Sequence, residues 1–130
     1  MIHSVEIFDP ASSTFKTLKG RVPISVFNLV MLKDGKVLMA GEDARVVIFD
    51  PTSAKFTLAP GLMHDKRTVY SATLLNDGQV LFAGGRGDNP DRVLDNAELF
   101  NPSSGTFTPC KNKLSGPRME HLAISLVPPH

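Results

Sequence analysis

Tryptophan is absent from the 130 residues, and tyrosine and cysteine occur once each. A single cysteine excludes an internal disulfide framework and any multi-cysteine zinc site. Charge of one sign is missing too. Lys and Arg total 14 against 13 Asp and Glu, and a net charge of +1 excludes the basic footprint of a nucleic-acid binder. No apolar run approaches the roughly 18 residues needed to span a bilayer, so no membrane association is expected. The chain does not open on a basic segment followed by an apolar run, so no secretory leader is expected and the cytoplasm is the default compartment. The four histidines, His3, His64, His121 and His130, lack metal-ligand spacing. No metal and no cofactor is expected. Sustained 3.6-residue periodicity is also missing, which predicts almost no helix.

What is present is repetition. Residues 5–15 (VEIFDPASSTF) recur as 46–56 (VVIFDPTSAKF) and again as 97–107 (AELFNPSSGTF). In each copy a second Phe follows the first by seven positions: Phe8 and Phe15, Phe49 and Phe56, Phe100 and Phe107. A second unit, LKDGKVLMAG (32–41), matches LNDGQVLFAGG (75–85). A third, VYSATLL (69–75), resembles HLAISLV (121–127) and, more loosely, FNLVML (27–32). The copies are spaced by 41 and then 51 residues, and the extra ten fall mainly in residues 85–96.

Each unit reads as strand. Asp34-Gly35 and Asp77-Gly78 stand between apolar runs, the pattern of a two-residue type I′ hairpin. The runs 37–40 and 80–83 suit strands buried on both faces. Phe-Asp/Asn-Pro ends a strand because Pro cannot donate to the ladder, and Asp9, Asp50 and Asn101 are placed to bond nearby amides in Asx turns. One full repeat is four short antiparallel strands, expected over 69–75, 79–84, 96–100 and 106–109. A four-stranded sheet recurring every 40–50 residues is the blade of a β-propeller. The expectation is an all-β chain of roughly eleven strands: a half blade (1–18), two blades (19–60 and 61–112) and the first strand of the next (113–130, the strand itself at 122–127).

The stretch from Arg67 to Gly85, the stretch from Ala97 to Phe107 and the opening PRMEHLAISL at 117–126 resemble a kelch-repeat protein, more narrowly the kelch propeller of galactose-oxidase-like proteins. The middle repeat departs by having Gly41-Glu42 in place of a double glycine, and Phe stands where strand four often carries Trp. The resemblance implies a closed ring of six or seven blades. Eleven strands fall short of that. The chain is therefore expected to be either a fragment or a self-associating partial propeller, a homodimer or higher, since open blade faces and edges invite association.

The resemblance also implies a copper-radical site with a Tyr linked to a Cys. The linked Tyr position is Thr68, and the Cys would fall near Phe27 or Asn28, where there is none. Tyr70 is instead expected to pack on an inner strand, and Cys110 to be inert. Arg67 and Arg118 occupy equivalent positions just before inner strands, near the channel mouth, where Arg could pair with a carboxylate or phosphate. The bland reading of both is a bridge to a neighbour or a carbonyl cap. His64-Asp65 and Glu120-His121 read as ordinary loop residues. The longest insertion carries Arg86, Asp88 and Asp91 and is the best candidate for partner contact. Its Arg-Gly-Asp tripeptide is a chance match, and its acidic spacing is not that of a calcium loop. Asp34 and Asp77 recur at one place in the repeat and are turn residues rather than catalytic carboxylates.

The expected function is a non-catalytic binding or protein-interaction scaffold, with Arg67, Arg118, Arg86, Asp88 and Asp91 as candidate binding residues and a protein partner or itself as ligand. The alternative is a fragment of a propeller enzyme, an oxidase or a carbohydrate-acting enzyme, with catalytic residues outside these 130.

Overall fold

The computed structural model describes residues 4–89 and 91–126. β1 (Glu6–Asp9) and β2 (Thr14–Thr17) form a two-stranded hairpin. β3 (Asn28–Met31), β4 (Val37–Ala40), β5 (Val46–Asp50) and β6 (Lys55–Leu58) form a four-stranded antiparallel sheet in chain order. β7 (Ser71–Leu74), β8 (Val80–Ala83), β9 (Ala97–Asn101) and β10 (Thr106–Pro109) form a second sheet of the same order. Among the described residues there is no helix, and so none long and apolar enough to cross a membrane. The chain is an all-β, propeller-like segment of four-stranded blades, as the repeat pattern predicts.

The seven-residue Phe spacing has a direct cause. In each hairpin the two rings are opposite partners across the strands: Phe8 with Phe15, Phe49 with Phe56, Phe100 with Phe107. Their centroids lie 5.0, 4.8 and 4.9 Å apart. Such cross-strand aromatic pairs fix register and add about 0.5–1.5 kcal/mol each beyond area burial. The turn between them is set by the Asx residue. Asp9, Asp50 and Asn101 each accept, through Oδ1, the amide two residues on, at 2.9 Å in all three. The turn then needs a left-handed residue, and Ser13, Ala54 and Gly105 supply it with φ of 55, 58 and 69°.

The β3–β4 and β7–β8 hairpins differ from the type I′ expectation. Gly35 and Gly78 have φ of 87 and 88°, while Asp34 and Asp77 stay out of the left-handed region. Gly35 N donates to Leu32 O at 3.1 Å and Leu32 N to Lys36 O at 2.8 Å, with Gly78, Leu75 and Gln79 repeating the pattern. This is a three-residue loop, a type I turn followed by a left-handed Gly. The Asp is free to bond ahead instead. Asp34 Oδ1 accepts Lys36 N and Asp77 Oδ1 accepts Gln79 N, both at 3.0 Å.

Alternation sends each sheet's residues to two faces. Val30, Leu32, Leu38, Ala40 and Val46 meet Tyr70, Val80, Phe82, Phe100 and Phe107 in the core between the two four-stranded sheets. On the other face of the first sheet, Met39, Val47 and Phe49 are covered by Leu18, Val22 and Ile24 from the segment that follows β2. The strand expected at 122–127 is not formed over residues 122–126, and Val127 lies outside the described residues. Next to β7, that segment has one hydrogen bond from Thr73 Oγ1 to Ala123 O at 3.4 Å in place of a ladder.

The left-handed turn site gives a stability test. Ala54→Gly should raise stability by roughly 0.5 kcal/mol, the left-handed penalty outweighing glycine's chain entropy. Gly105→Ala should lower it, because a Cβ there would sit 2.5 Å from Pro60 Cδ. Urea midpoints decide both signs.

Candidate functional site

A charged network lies inside the second blade. Glu98, on β9, is 1% exposed, and Arg67, four residues before β7, is 0% exposed. Arg67 Nη2 donates to Glu98 Oε2 at 2.9 Å and to Asn96 Oδ1 at 3.1 Å. Its Nη1 donates to Gly84 O at 2.8 Å and Asn96 O at 3.3 Å. Glu98 Oε1 accepts the amide of His64 at 2.6 Å, with the His64 ring Nδ1 at 3.0 Å, and Oε2 accepts the amide of Asp65 at 3.1 Å. Asn96 Nδ2 donates to Asp65 Oδ2 at 2.6 Å. Burial alone pushes the Glu98 carboxyl upward. The His64 and Asp65 amides, the guanidinium and the His64 ring outweigh it and hold the group below its ordinary 4.5. The chemistry is structural: one carboxylate ties the loop before the inner strand to the third strand of the blade.

Nearby, a cleft of about 430 Å³ opens at the start of the inner strands, lined by Phe27, Asn28, Glu42, Tyr70, Glu120 and His121 among others. Two residues at the same place in the repeat, Val69 and Glu120, hold left-handed backbone there, with φ of 49 and 53°. For a β-branched Val that is a strained conformation. Glu120 N donates to Val69 O at 3.0 Å, locking the two bends together. His121 Nε2 lies 2.9 Å from Ser71 Oγ.

The five residues expected to bind do not form one cluster. Arg67 is spent inside the blade, so its guanidinium faces no solvent. Arg118 is exposed and its Nη2 reaches Ser115 Oγ at 3.3 Å. Arg86 is half-buried, bridges Thr68 and Val93 through its backbone, and turns Nη2 toward Met119 Sδ at 3.6 Å. Asp88 is exposed, 4.0 Å from Lys66 Nζ, and Asp91 donates its amide to Asn89 Oδ1. Among the described residues no hydrogen bond or ion pair joins any two of the five.

Glu98 escaped the sequence reading. Its signal was there: a carboxylate in the strand AELFN where the preceding repeat has Val47, matched by Arg67 where that repeat has Ile24. Ile24 and Val47 are both buried in one apolar cluster. The same slot thus holds an ion pair in one blade and an aliphatic pair in the other.

A family model described as "Protein of unknown function (DUF1668)" matches residues 6–129. The chain belongs to that family. No curated protein matches the DUF1668 chain. Among solved structures it is similar to a fungal protein described as a novel alcohol oxidase with catalytic diversity among the AA5 family, in complex with copper. The TM-score is 0.64 at 16% identity, over 81% of this chain and 23% of the oxidase chain. The chain thus spans about a quarter of that enzyme, and at this identity the likeness is one of fold.

The described residues do not fit a copper centre. The Tyr70 hydroxyl donates to Gly41 O at 2.8 Å, and burial raises its pKa far above the ordinary phenol value. Cys110 follows β10, at the opposite edge of the sheet from β7, and burial raises its thiol too. Among the described residues no three His, Cys, Asp or Glu side chains are grouped to hold a metal.

Glu98→Gln should destabilise the fold by about 3 kcal/mol, because it leaves the Arg67 charge buried alone. The double variant Arg67→Ile with Glu98→Val, copying Ile24 and Val47, should recover most of that loss. The pH profile has a definite sign. A carboxyl lowered by folding contributes stability that is complete above its unfolded value and lost as pH falls through its folded one. The wild-type urea midpoint should therefore drop below about pH 4.5, its ordinary value, more steeply than that of Glu98→Gln.

Proposed function

We propose that this chain is a set of kelch-type blades acting as a non-catalytic interaction scaffold, with an open blade face as its contact surface. One observation carries the reading. Phe27, Leu29 and Met31, in and just before β3, are 65, 66 and 67% exposed. β3 and β7 share one register, Asn28 opposite Ala40 and Ser71 opposite Ala83. Phe27, Leu29 and Met31 therefore correspond to Tyr70, Ala72 and Leu74, which sit in or against the core between the sheets. A row of large apolar side chains that is covered in one blade and bare in the next is a contact surface without its contact. The exposed Arg118 and the loop residues Arg86, Asp88 and Asp91 are further candidate contacts for a protein partner, apart from this face. Arg67, buried in its ion pair, is not one of them.

A second reading, a portion of a propeller enzyme with its catalytic residues elsewhere, draws support from the fold likeness to the oxidase. On that reading the same face is covered by further blades.

A photo-crosslinking residue in place of Leu29, expressed in cells, should form covalent adducts with protein. The same residue in place of Thr57, exposed on β6, is the control. Adducts no more frequent at 29 than at 57 would remove the contact surface and the reading with it.

A further inference from the structure

We propose that the occupant of this face is a second copy of the chain, bound head to tail. Residues 121–126 of one copy lie on Phe27, Leu29 and Met31 of the next, and Arg118 of the first pairs with Glu6 of the second. The inference rests on the scaffold reading and specifies the partner.

The packing rule comes from inside the molecule. Between the two sheets, Val30 and Leu32 of the first inner segment meet Tyr70, Ala72 and Leu74 of the second. One alternating row of an inner segment thus packs on the opposite row of the segment that follows. Counted from Arg118 as the counterpart of Arg67, with left-handed Glu120 at the place of left-handed Val69, residues 121–126 carry Leu122, Ile124 and Leu126 at the positions of Asn28, Val30 and Leu32. These three are 96, 79 and 78% exposed. The face that accepts such a row, Phe27, Leu29 and Met31, is bare at the other end of the same chain. The two bare rows are the two sides of one contact.

The charges repeat this complementarity. In the second blade the guanidinium before the inner strand pairs with the carboxylate of the third strand, Arg67 with Glu98. Arg118 stands at the Arg67 position of the following repeat, and among the described residues its guanidinium reaches only the Ser115 hydroxyl. Glu6 stands at the Glu98 position of the first repeat, and among the described residues its carboxylate accepts only from Thr17 Oγ1, at 3.4 Å. Each is half of the buried pair, at opposite ends of the described chain. Among the described strands β1 pairs with β2 alone, so the edge where a complete blade carries its second strand is open. The first blade makes no such demand, having Ile24 and Val47 at those places. An interface of this kind is heterologous and forms a closed ring if the rotation closes.

Charge reversal tests the geometry. Sedimentation of the wild-type chain should show species at multiples of 14.1 kDa. Glu6→Arg and Arg118→Glu, each alone, should weaken association at least about tenfold, since a like-charged buried pair costs well over the tenfold step. The double variant Glu6→Arg with Arg118→Glu should restore it, and so should an equimolar mixture of the two single variants. Both residues are exposed in the single chain, so unchanged circular dichroism and urea midpoints are expected and separate loss of contact from loss of fold. A wild-type chain that stays monomeric at every concentration overturns the proposal. So does association indifferent to the two reversals. Crosslinks at position 29 to a different protein would also overturn it, while leaving the scaffold reading intact.

Discussion

A four-stranded blade has two apolar faces and no helix to cover either, so it is stable only when another blade lies against it. That constraint organises the molecule. The Val/Leu/Phe rows of the two complete sheets interdigitate in one core, and the outer face of the first sheet borrows Leu18, Val22 and Ile24 from an irregular segment to cover its outer strands. The inner strand on that side is left uncovered. Every large exposed apolar row traces to a face without a neighbour. The hydrophobic effect acts here through layers, and the number of layers present decides which residues are core.

Among the described residues, two charged side chains enter this layered core, beside the smaller polar groups of Tyr70 and Ser71. Arg67 and Glu98 are buried together, with backbone carbonyls and amides joining in their hydrogen bonds, while Arg67 Nε is left without a partner. The network holds the loop before the inner strand against the third strand. Its counterpart in the preceding blade fills the slot with an aliphatic pair. The scaffold therefore needs a filled slot there, and it is indifferent to the chemistry that fills it.

Much of the fold was legible because repetition removes ambiguity. A lone Phe seven residues after another says little, whereas three such pairs beside Asx-Pro identify hairpins, and the rings do meet across the strands. Strand β10 falls on the expected residues, and the others shift by a residue or two at their ends. The Asp-Gly turns were placed correctly and typed wrongly, because a side chain that bonds two residues ahead favours a type I turn, which leaves only the Gly left-handed. The strand at 122–126 was not found because alternation is a property of the segment and pairing is a property of its neighbour. The candidate site was much less legible. Arg67 reads as a binding residue at a channel mouth and is instead buried in an ion pair, and its partner Glu98 reads as one more residue of a strand until its repeat counterpart is set beside it.

The two fillings of that slot have a consequence for how such repeats diverge. An ion pair and an aliphatic pair are each self-consistent, but a chain holding one member of each has a lone charge in a dry place or a gap where a guanidinium was. A duplicated blade cannot drift from one solution to the other through single substitutions without crossing a poorly folded intermediate. The positions must change together, or while some other blade lends stability to spare. Once fixed, the choice becomes a label that distinguishes one blade from its sisters, and it limits which blades can recombine without loss.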